Sequence, residues 1–389
     1  MDGQRIVLVA GETSGDNLGA ALIAALRARR PGLSFEGIAG PRMAAAGCTA
    51  WASAERLAVM GLFEILRHLP GLLALRRSAV ARTLTAAPAA FIGIDAPEFN
   101  LSLAARLHRR GVRTVQYVSP QVWAWRQGRV ARMARTLDLV LCLLPFEKRF
   151  YDGVGLRAEF VGHPLADRLP LVPDRAGARA ELGLPAEATV VAILPGSRRG
   201  EVERLAPDFI GAARWLAARR PGVRFVAPMA NASARALFAA ALERRGSGLE
   251  VLLTDGAADR SLAACDCALV TSGTATLEAL LCKRPMVVAY RTGAATAALV
   301  RLLGLIKAPF FAQPNLLAGR LVVPELFQAQ VTPERLGQEL LAWLADPPRV
   351  AAVEAQFRTI HEGLRRGASE RAAEAILALI DAPPPGSGG

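Results

Sequence analysis

The segment Phe91–Asn100, FIGIDAPEFN, places an aspartate between an apolar run and a proline that can begin a helix. Residues 91–94 suit a buried strand, and Pro97 suits the first turn of a helix. Ligands of open α/β sheets bind beyond the carboxyl ends of the strands, where Asp95 would lie. Two interpretations stay open at this point: Asp95 is a catalytic carboxylate, or it caps the helix with Glu98 as the acid of a capping box.

The same rhythm of short apolar runs and helix-like segments continues through both halves of the chain. The predicted strands span residues 5–10, 33–39, 89–94, 113–118, 137–144, 158–162, 189–196, 223–228, 249–254, 267–271 and 285–290. Strands that alternate with helical patterns predict βαβ units and a parallel sheet. Because 389 residues exceed one ordinary core, we predict an α/β protein with two Rossmann-like, doubly wound domains that face each other across a cleft.

The predicted domain boundaries lie where this pattern pauses. Residues 1–165 form the N-terminal domain and residues 176–349 the C-terminal domain, with a proline-rich linker over Pro164–Arg175. The helical residues 350–382 have no strand left to pair with, and we expect them to pack back on the first domain. Residues 383–389, PPPGSGG, have the composition of a flexible tail.

The chain is strongly basic, with 47 basic and 34 acidic residues and a net charge of +13. Residues 1–165 carry +9 of this charge, from 21 basic and 12 acidic residues. Such a balance suits nucleic acid, anionic lipid or a phosphorylated substrate, and composition does not choose among them. Because the sequence has no recognised RNA- or DNA-binding motif, we expect no nucleic-acid partner.

Five cysteines and four histidines show no spacing typical of a metal site, so we expect neither a metal nor a cofactor. An odd cysteine count without a disulfide framework indicates a reducing compartment. The first residues lack a signal-peptide pattern, and no uncharged apolar run reaches the roughly 18 to 20 residues of a spanning helix. These features predict a cytoplasmic protein.

The segment Leu62–Arg82 is rich in leucine and basic residues, and Pro70 interrupts it. Its basic side chains are Arg67, His68, Arg76, Arg77 and Arg82. An amphipathic helix of this kind can lie in the headgroup region of an anionic membrane. The alternative is an ordinary helix packed on the sheet with a solvated basic face, and periodicity alone does not separate the two.

The first strand is followed by a turn rich in small polar residues, GETSGDNLG at 11–19. Ser14, Gly15 and Asp16 there can bind an anion at the start of a helix, or they can simply cap that helix. A second turn, LPGSRRGEVERL at 194–205, also follows a strand.

This second turn has a stronger anion-binding pattern. Gly196 allows close approach, Ser197 can donate a hydrogen bond, and Arg198 and Arg199 can meet phosphate at a helix N-terminus. Arginines on a solvated loop are the competing interpretation.

The segment VTSGTATLEALL, 270–281, has the same arrangement of strand, polar turn and helix. Ser272, Gly273 and Thr274 can present amides and hydroxyls to a diphosphate, and Glu278 can accept the hydroxyls of a ribose. A plain N-cap followed by a surface glutamate is the alternative.

Two further candidates lie at the ends of strands in the first half. Trp123, within YVSPQVWAWR at 117–126, can receive a sugar ring or a lipid, although most aromatics near a sheet belong to the core. His163 follows the last strand of this half and is a second possible proton acceptor beside Asp95; a structural role at the domain junction is its alternative.

Ten motifs in order make the chain similar to the lipid-A-disaccharide synthases, bacterial glycosyltransferases of the GT-B fold. They are GETSGD (11–16), GIAGPRM (37–43), MGLFEIL (60–66), GIDAPEFN (93–100), YVSPQVWAWR (117–126), LPFEKRFY (144–151), FVGHPLAD (160–167), LPGSR (194–198), SGTATLE (272–278) and PNLLAGRLVVPEL (314–326). The resemblance implies a metal-independent, inverting transfer from UDP-2,3-diacylglucosamine to 2,3-diacylglucosamine 1-phosphate (lipid X), which yields a disaccharide 1-phosphate and UDP.

The resemblance also implies residue roles and partners. Asp95 would be the general base, Arg198 and residues 272–278 would hold the UDP portion, and Asn315 and Arg320 would belong to the donor region. The protein would work as a peripheral enzyme on anionic phospholipid at the cytoplasmic face of the inner membrane, and a homodimer stays open. The rivals are another UDP-sugar transferase or an epimerase of similar architecture, a basic nucleic-acid-binding protein, and a membrane-associated binding protein without turnover.

Overall fold

The computed structural model describes residues 4–57, 62–122, 128–293 and 309–383, with only the backbone described for 62–69. The chain divides into two compact units: Met1–Asp167 together with Leu364–Gly389, and Arg168–Gly363. The boundary between them falls within the segment predicted as a linker, and the last helix belongs with the first unit.

The first unit is built on seven parallel strands: β1 (Arg5–Ala10), β2 (Ser34–Ala39), β3 (Cys48–Ser53), β4 (Ala90–Ile94), β5 (Thr114–Tyr117), β6 (Leu139–Cys142) and β7 (Arg157–Phe160). Their order across the sheet is β3-β2-β1-β4-β5-β6-β7, and the pairing is parallel throughout. The order reverses between β1 and β4, whose last residues, Ala10 and Ile94, are partners in the register.

The helices described around this sheet are α1 (Glu12–Arg29), α2 (Pro41–Ala45), α3 (Leu62–Ala86), α4 (Pro97–His108), α5 (Arg129–Met133) and α6 (Pro164–Arg168). The helix α3 continues through Pro70, so the predicted interruption does not end it. Alternating strand residues enter two cores: Ile6 and Leu8 pack with α1, whereas Val7 and Val9 pack with α3 and α4. A sheet covered by helices on both faces results.

The second unit has six parallel strands: β8 (Val190–Leu194), β9 (Arg224–Met229), β10 (Val251–Asp255), β11 (Cys267–Thr271), β12 (Met286–Tyr290) and β13 (Glu325–Phe327). Their order is β10-β9-β8-β11-β12-β13, which reverses between β8 and β11. The described helices that follow α6 up to the last strand are α7 (Arg175–Glu181), α8 (Arg199–Ala217), α9 (Ala232–Arg245), α10 (Ala258–Ala264), α11 (Thr274–Leu281) and α12 (Gln313–Ala318).

In the described residues after the last strand, the α-helices are α13 (Pro333–Ala345), α14 (Pro347–Leu364) and α15 (Ala368–Asp381). The helix α14 belongs to the second unit up to Gly363. Only α15 joins the first unit, where Ala372 and Ile376 pack into the same core as α1. From the sequence we expected residues 350–382 to pack together on the first domain. In the structure residues 350–363 belong to the second unit, and only residues 364–382 belong to the first.

The predicted α/β class with two doubly wound sheets is confirmed. Two edge strands are additional to those predicted, β3 (CTAWAS) and the three-residue β13. Both lack the continuous apolar run that identifies a buried strand, because an edge strand is covered less completely. Among the described residues, no helix is long and apolar enough to cross a membrane.

Candidate active site

In each unit, the predicted turns follow the two strands between which the strand order reverses. Residues 11–16 follow β1 and Asp95 follows β4, while residues 196–198 follow β8 and residues 272–274 follow β11. Open α/β sheets bind ligands at this reversal, because the helices after the two strands depart to opposite faces and leave a crevice. The topology therefore brings the turns together in pairs.

Asp95 is half-buried and lies directly after β4. The N-cap position of α4 is Ala96, which makes no side-chain capping hydrogen bond, so Asp95 does not hold the N-cap position of the predicted capping box. Pro97 takes a position in the first helical turn as expected. Glu98 is exposed and pairs with Arg129. The helix therefore begins one residue later than the capping-box interpretation requires.

Two buried carboxamides that the sequence analysis did not single out hold the Asp95 backbone. The carbonyl oxygen of Asp95 accepts hydrogen bonds from Asn100 Nδ2 at 2.9 Å and from Gln116 Nε2 at 3.1 Å. A signal for Gln116 was present in the sequence, since a glutamine interrupts the apolar strand RTVQYV. Asn100 is the last residue of the motif FIGIDAPEFN, but the hydrophobic pattern of the sequence gives no reason to select it.

The GETSGD turn begins α1 beside the Asp95 turn. A Cβ on Gly11 would lie 2.7 Å from the Cβ of Ala96, so the two turns are in close approach. Ser14 is exposed in the first turn of α1, and Gly15 is buried near the carbonyl of Ile94. The N-terminal amides of α1 therefore lie close to the candidate base.

Asp16 has a structural role. Its buried carboxylate accepts hydrogen bonds from the backbone amides of Gly40, Arg42 and Met43 at 2.9 to 3.1 Å. These amides form the N-terminus of α2, whose partial positive charge favours a carboxylate. The carboxylate of Asp16 is therefore engaged within the protein, and we do not propose that it binds the acceptor substrate.

The imidazole of His163 is also engaged in a hydrogen bond with its own segment. Its Nδ1 atom accepts a hydrogen bond from the Leu165 amide at 3.2 Å, which places the proton of a neutral ring on Nε2. Burial lowers the pKa of His163 to about 4, and the nearby Asp167 carboxylate opposes that shift. A neutral ring whose unprotonated nitrogen is already occupied is a poor proton acceptor. Trp123, the remaining acceptor candidate, lies outside the described residues.

In the second unit, the turn after β8 is organised by Glu201. Its Oε2 atom accepts hydrogen bonds from the amides of Ser197 at 3.2 Å and Arg198 at 3.3 Å, while Oε1 pairs with Arg198 Nη1 at 3.0 Å. Gly196 has a φ of +120°, and a Cβ there would lie 2.7 Å from the Cβ of Glu201. The exposed Arg198 is thus held at the N-terminus of α8 by a carboxylate from the same helix.

The turn after β11 presents exposed residues at the start of α11. Gly273 is the N-cap, with a φ of +148° and no atom within 4 Å of an added Cβ, and Thr274 is also exposed. Ser272 donates from Oγ to the carbonyl of Phe311 at 3.0 Å. Burial raises the pKa of Glu278, one turn into α11, while Arg168 opposes the shift. The turn therefore combines open backbone at Gly273 with a carboxylate one helical turn further on.

Asn315 is fully buried and supports the loop before β13. Its Nδ2 atom donates to the carbonyl of Val323 at 2.9 Å and to Glu325 Oε1 at 2.7 Å. Its Oδ1 atom accepts from the amides of Val322 and Val323 at 2.7 and 3.0 Å. These four bonds make Asn315 a support for the donor region, and its amide is occupied by the protein itself.

Arg320 is exposed just beyond α12. Its Nη2 atom donates to Gln356 Oε1 of α14 at 2.5 Å. An exposed hydrogen bond of this kind contributes little to stability, so the guanidinium can exchange it for a ligand phosphate at small cost.

Two doubly wound units, each with polar turns at its topological switch point, define a GT-B glycosyltransferase fold. The calicheamicin glycosyltransferase CalG4 covers 98% of this chain and all of its own, with a TM-score of 0.60 and 16% identity. The UDP-GlcNAc 2-epimerase of Neisseria meningitidis, bound to UDP-GlcNAc, covers 96% of this chain and all of its own, with a TM-score of 0.66 and 13% identity. Likeness at such identity shows the fold alone.

Sequence relatives then separate the transferase from the epimerase. A family model for lipid-A-disaccharide synthetase matches residues 6–379. The lipid-A-disaccharide synthase of Pseudomonas aeruginosa is 50% identical over 380 residues, which are 98% of this chain and 99% of that protein. The chain belongs to the lipid-A-disaccharide synthase family, and its activity is that of this glycosyltransferase in lipid A biosynthesis. The predicted family and function are confirmed.

Proposed function

We propose that Asp95 is the general base of the glycosyl transfer. The 6-hydroxyl of 2,3-diacylglucosamine 1-phosphate attacks the anomeric carbon of UDP-2,3-diacylglucosamine, and the carboxylate of Asp95 takes the hydroxyl proton. The bond from the anomeric carbon to the diphosphate breaks, and its electron pair leaves with UDP. A single displacement inverts the anomeric centre, by analogy with inverting glycoside chemistry.

The observation that carries this proposal is the place of Asp95 directly beyond β4, at the reversal of the strand order. The other candidate base, His163, has its Nδ1 atom engaged by Leu165. Asp95 is therefore the better proton acceptor of the two.

In this proposal the second unit holds the donor. Arg198 and the amides at the start of α8 and α11 stabilise the charge that develops on the departing diphosphate, so the reaction needs no metal. Gly273, where an added Cβ would meet no atom within 4 Å, allows the phosphates to approach the backbone, whereas the missing Cβ of Gly196 makes room for Glu201 in the same turn. Glu278 accepts hydroxyls of the ribose.

The same proposal gives the remaining donor and acceptor roles. In the donor region, Ser197, Ser272 and Thr274 supply hydroxyls, Arg320 is a second cation, and Asn315 supports the loop. On the first unit, Ser14 and Gly15 contribute the N-terminal amides of α1 to the acceptor phosphate. Trp123 stays a predicted acceptor residue on the sequence evidence alone.

We further propose that the first unit meets an anionic inner-membrane surface through the first part of α3. Both substrates of the family's reaction carry acyl chains, and they must leave a bilayer. The described second part of α3 buries Leu75 and Ala79 in the core and exposes Arg77 and Arg82. The cytoplasmic location and the homodimer stay predictions.

The test of the base is the variant Asp95→Asn, assayed by mass detection of the disaccharide formed from the two acylated substrates. We expect kcat to fall about 10²- to 10⁴-fold, the usual contribution of a general base, while the Kd for UDP stays at the wild-type value. Near-normal turnover by a folded variant would exclude Asp95 as the base. Sedimentation with vesicles of anionic and neutral phospholipid tests the membrane surface separately.

A further inference from the structure

The peptide group of Asp95 is held by side-chain amides from two different elements. Asn100 in α4 donates to its carbonyl at 2.9 Å, and Gln116 in β5 donates to the same oxygen at 3.1 Å. The amide of Asp95 in turn donates to the carbonyl of Tyr117 at 2.9 Å. Both carboxamide residues are buried, with 0% and 1% of their surfaces exposed.

The backbone at this point needs such support. Asp95 and Ala96 have φ values of +51° and +40°, in the left-handed region that residues with a Cβ rarely adopt. Strained conformations of this kind persist when the surrounding structure holds them, and they are frequent at functional sites. The oxygen that receives both amides belongs to the peptide that joins the two left-handed residues. Asn100 and Gln116 therefore act where the strain is located.

The same two amides reach the ends of the neighbouring strands. Asn100 Nδ2 also lies 3.2 Å from the carbonyl oxygen of Val9 and 3.4 Å from that of Ile94. Gln116 Nε2 lies 3.4 and 3.3 Å from the carbonyl oxygens of Tyr117–Val118. Val9 lies one residue before the end of β1, Ile94 and Tyr117 are the last residues of β4 and β5, and Val118 follows β5. The two amides thus hold the backbone of the proposed base in a defined position relative to β1, β4 and β5.

Gly93 provides the room for this arrangement. A Cβ on Gly93 would lie 2.7 Å from the Cβ of Asn100 and 3.1 Å from Gln116 Oε1. Within the described part of the chain, Asn100 Oδ1 is buried without a hydrogen-bond partner. A buried oxygen without a hydrogen bond is unfavourable, so Oδ1 does not explain the asparagine. The hydrogen bonds that Nδ2 donates are the favourable contribution of this side chain.

We propose that Asn100 and Gln116 are positioning residues for glycosyl transfer, which hold the left-handed backbone of Asp95 and so fix the place of its carboxylate. The inference rests on the proposed role of Asp95 as the base. Proton transfer depends on hydrogen-bond geometry at the moment of attack, and a displacement of about 1 Å can lower the rate about 100-fold. The two amides maintain that geometry without touching the substrate.

The first experiment measures kcat and KM for Asn100→Leu and Gln116→Met. Both variants keep the approximate volume and remove the amide donor. We expect kcat to fall about 10- to 100-fold, with KM for both substrates within about threefold of wild type, because the displaced group acts on the chemical step. Folded variants with kcat within twofold of wild type would overturn the proposal. If neither variant folds, the amides are stability elements and the proposal also fails.

The matched control is Thr114→Val, at the other end of β5. Thr114 is buried and its hydroxyl bonds to Thr136 and Asp138, away from the Asp95 peptide. This change also removes a buried polar group, so we expect a comparable loss in Tm with kcat unchanged. An equal loss of kcat in the control would show that general destabilisation explains the effect, and would overturn the proposal.

The variant Asn100→Asp adds a pH readout that a purely structural role would not give. When ionised, the introduced carboxylate faces the carbonyl oxygens that the amide had joined and repels them; when protonated, it can donate one hydrogen bond. We expect its kcat relative to wild type to be highest at low pH and to fall as pH rises. A ratio that does not change with pH would contradict the proposal.

A double-mutant cycle separates this inference from the base assignment. If Asn100 acts through Asp95, Asp95→Asn combined with Asn100→Leu is no slower than Asp95→Asn alone. Multiplied rate losses would exclude the positioning role while leaving the base in place. Near-normal turnover of Asp95→Asn alone would instead remove the proposed base, whatever the result at Asn100.

Discussion

Glu201 and Arg198 are joined twice, because the carboxylate of Glu201 accepts the backbone N–H of Arg198 at 3.3 Å and its side-chain Nη1 at 3.0 Å. A carboxylate of the protein thereby occupies backbone and side-chain donors that can also serve a phosphate. The guanidinium is more than half exposed, so its ion pair adds little to the stability of the fold.

The variant Arg198→Ala should therefore weaken donor binding without unfolding the protein. We expect the Kd for UDP to rise about 10-fold or more, the usual effect of losing a charge-assisted hydrogen bond, with Tm close to the wild-type value. Isothermal titration calorimetry measures the Kd. Arg199→Ala is the matched control, since this neighbouring exposed arginine pairs with Glu203 in the same helix. Equal losses of UDP affinity in both variants would contradict a specific role for Arg198.

Binding of UDP should strengthen as pH rises through the raised pKa of Glu278. Burial favours the protonated form of this carboxyl group, whereas ribose hydroxyls donate to the ionised form. We expect Glu278→Gln to abolish this pH dependence and to weaken UDP binding at neutral pH. A pH dependence that survives in the variant would assign it to another group.

The same raised pKa has a consequence for stability. Because the folded protein holds the proton of Glu278 more tightly than the unfolded chain, this group favours folding below its unfolded pKa, and that contribution is lost as pH rises through the folded pKa. Glu278→Gln should then be at least as stable as wild type at neutral pH. Chemical denaturation at two pH values measures the difference.

His163→Gln should leave most of the catalytic activity in place. The imidazole is held by the Leu165 amide and its pKa is lowered to about 4, so it does not serve as the base in our proposal. We expect kcat within about fivefold of wild type, against the much larger loss predicted for Asp95→Asn. A loss in His163→Gln as large as that in Asp95→Asn would make the histidine the base.

The lowered pKa of His163 also predicts acid sensitivity. Between its ordinary value of 6.5 and about 4, the unfolded chain binds a proton that the folded protein does not, so stability falls as pH is lowered through this range. In His163→Gln that part of the decline should disappear. Urea unfolding between pH 4 and 7 tests this, with wild type as the reference.

Asp16→Ala should destabilise the first unit without a specific effect on catalysis. The change leaves three backbone amides of the loop and α2 without their carboxylate partner. We expect a loss of about 2 to 4 kcal/mol in the free energy of unfolding, since hydrogen bonds to a charged group are among the stronger ones. Activity per folded molecule should stay near wild type. An undiminished stability with a raised KM for the acceptor would return Asp16 to the acceptor site.

Much of the fold could be predicted because parallel strands buried on both faces give continuous apolar runs, as in RIVLVA before Gly11 and TVVAILPG through Gly196. The edge strands Cys48–Ser53 and Glu325–Phe327 were missed because incomplete cover leaves them without that pattern. The helix after Gly367 has a clear amphipathic pattern, yet periodicity does not say which unit it covers.

The sequence by itself determined the alternation of strands and helices, the family motifs, and the polar turns that follow the strands. Only the tertiary structure decided how the polar side chains are used. Asp16 and Asn315 are occupied by backbone groups of their own units, and the carbonyl of Asp95 is held by Asn100 and Gln116. The physical reason is that the hydrophobic pattern of a segment indicates which of its residues are buried. A hydrogen bond between distant elements depends instead on the order and register of the strands, which that pattern does not contain.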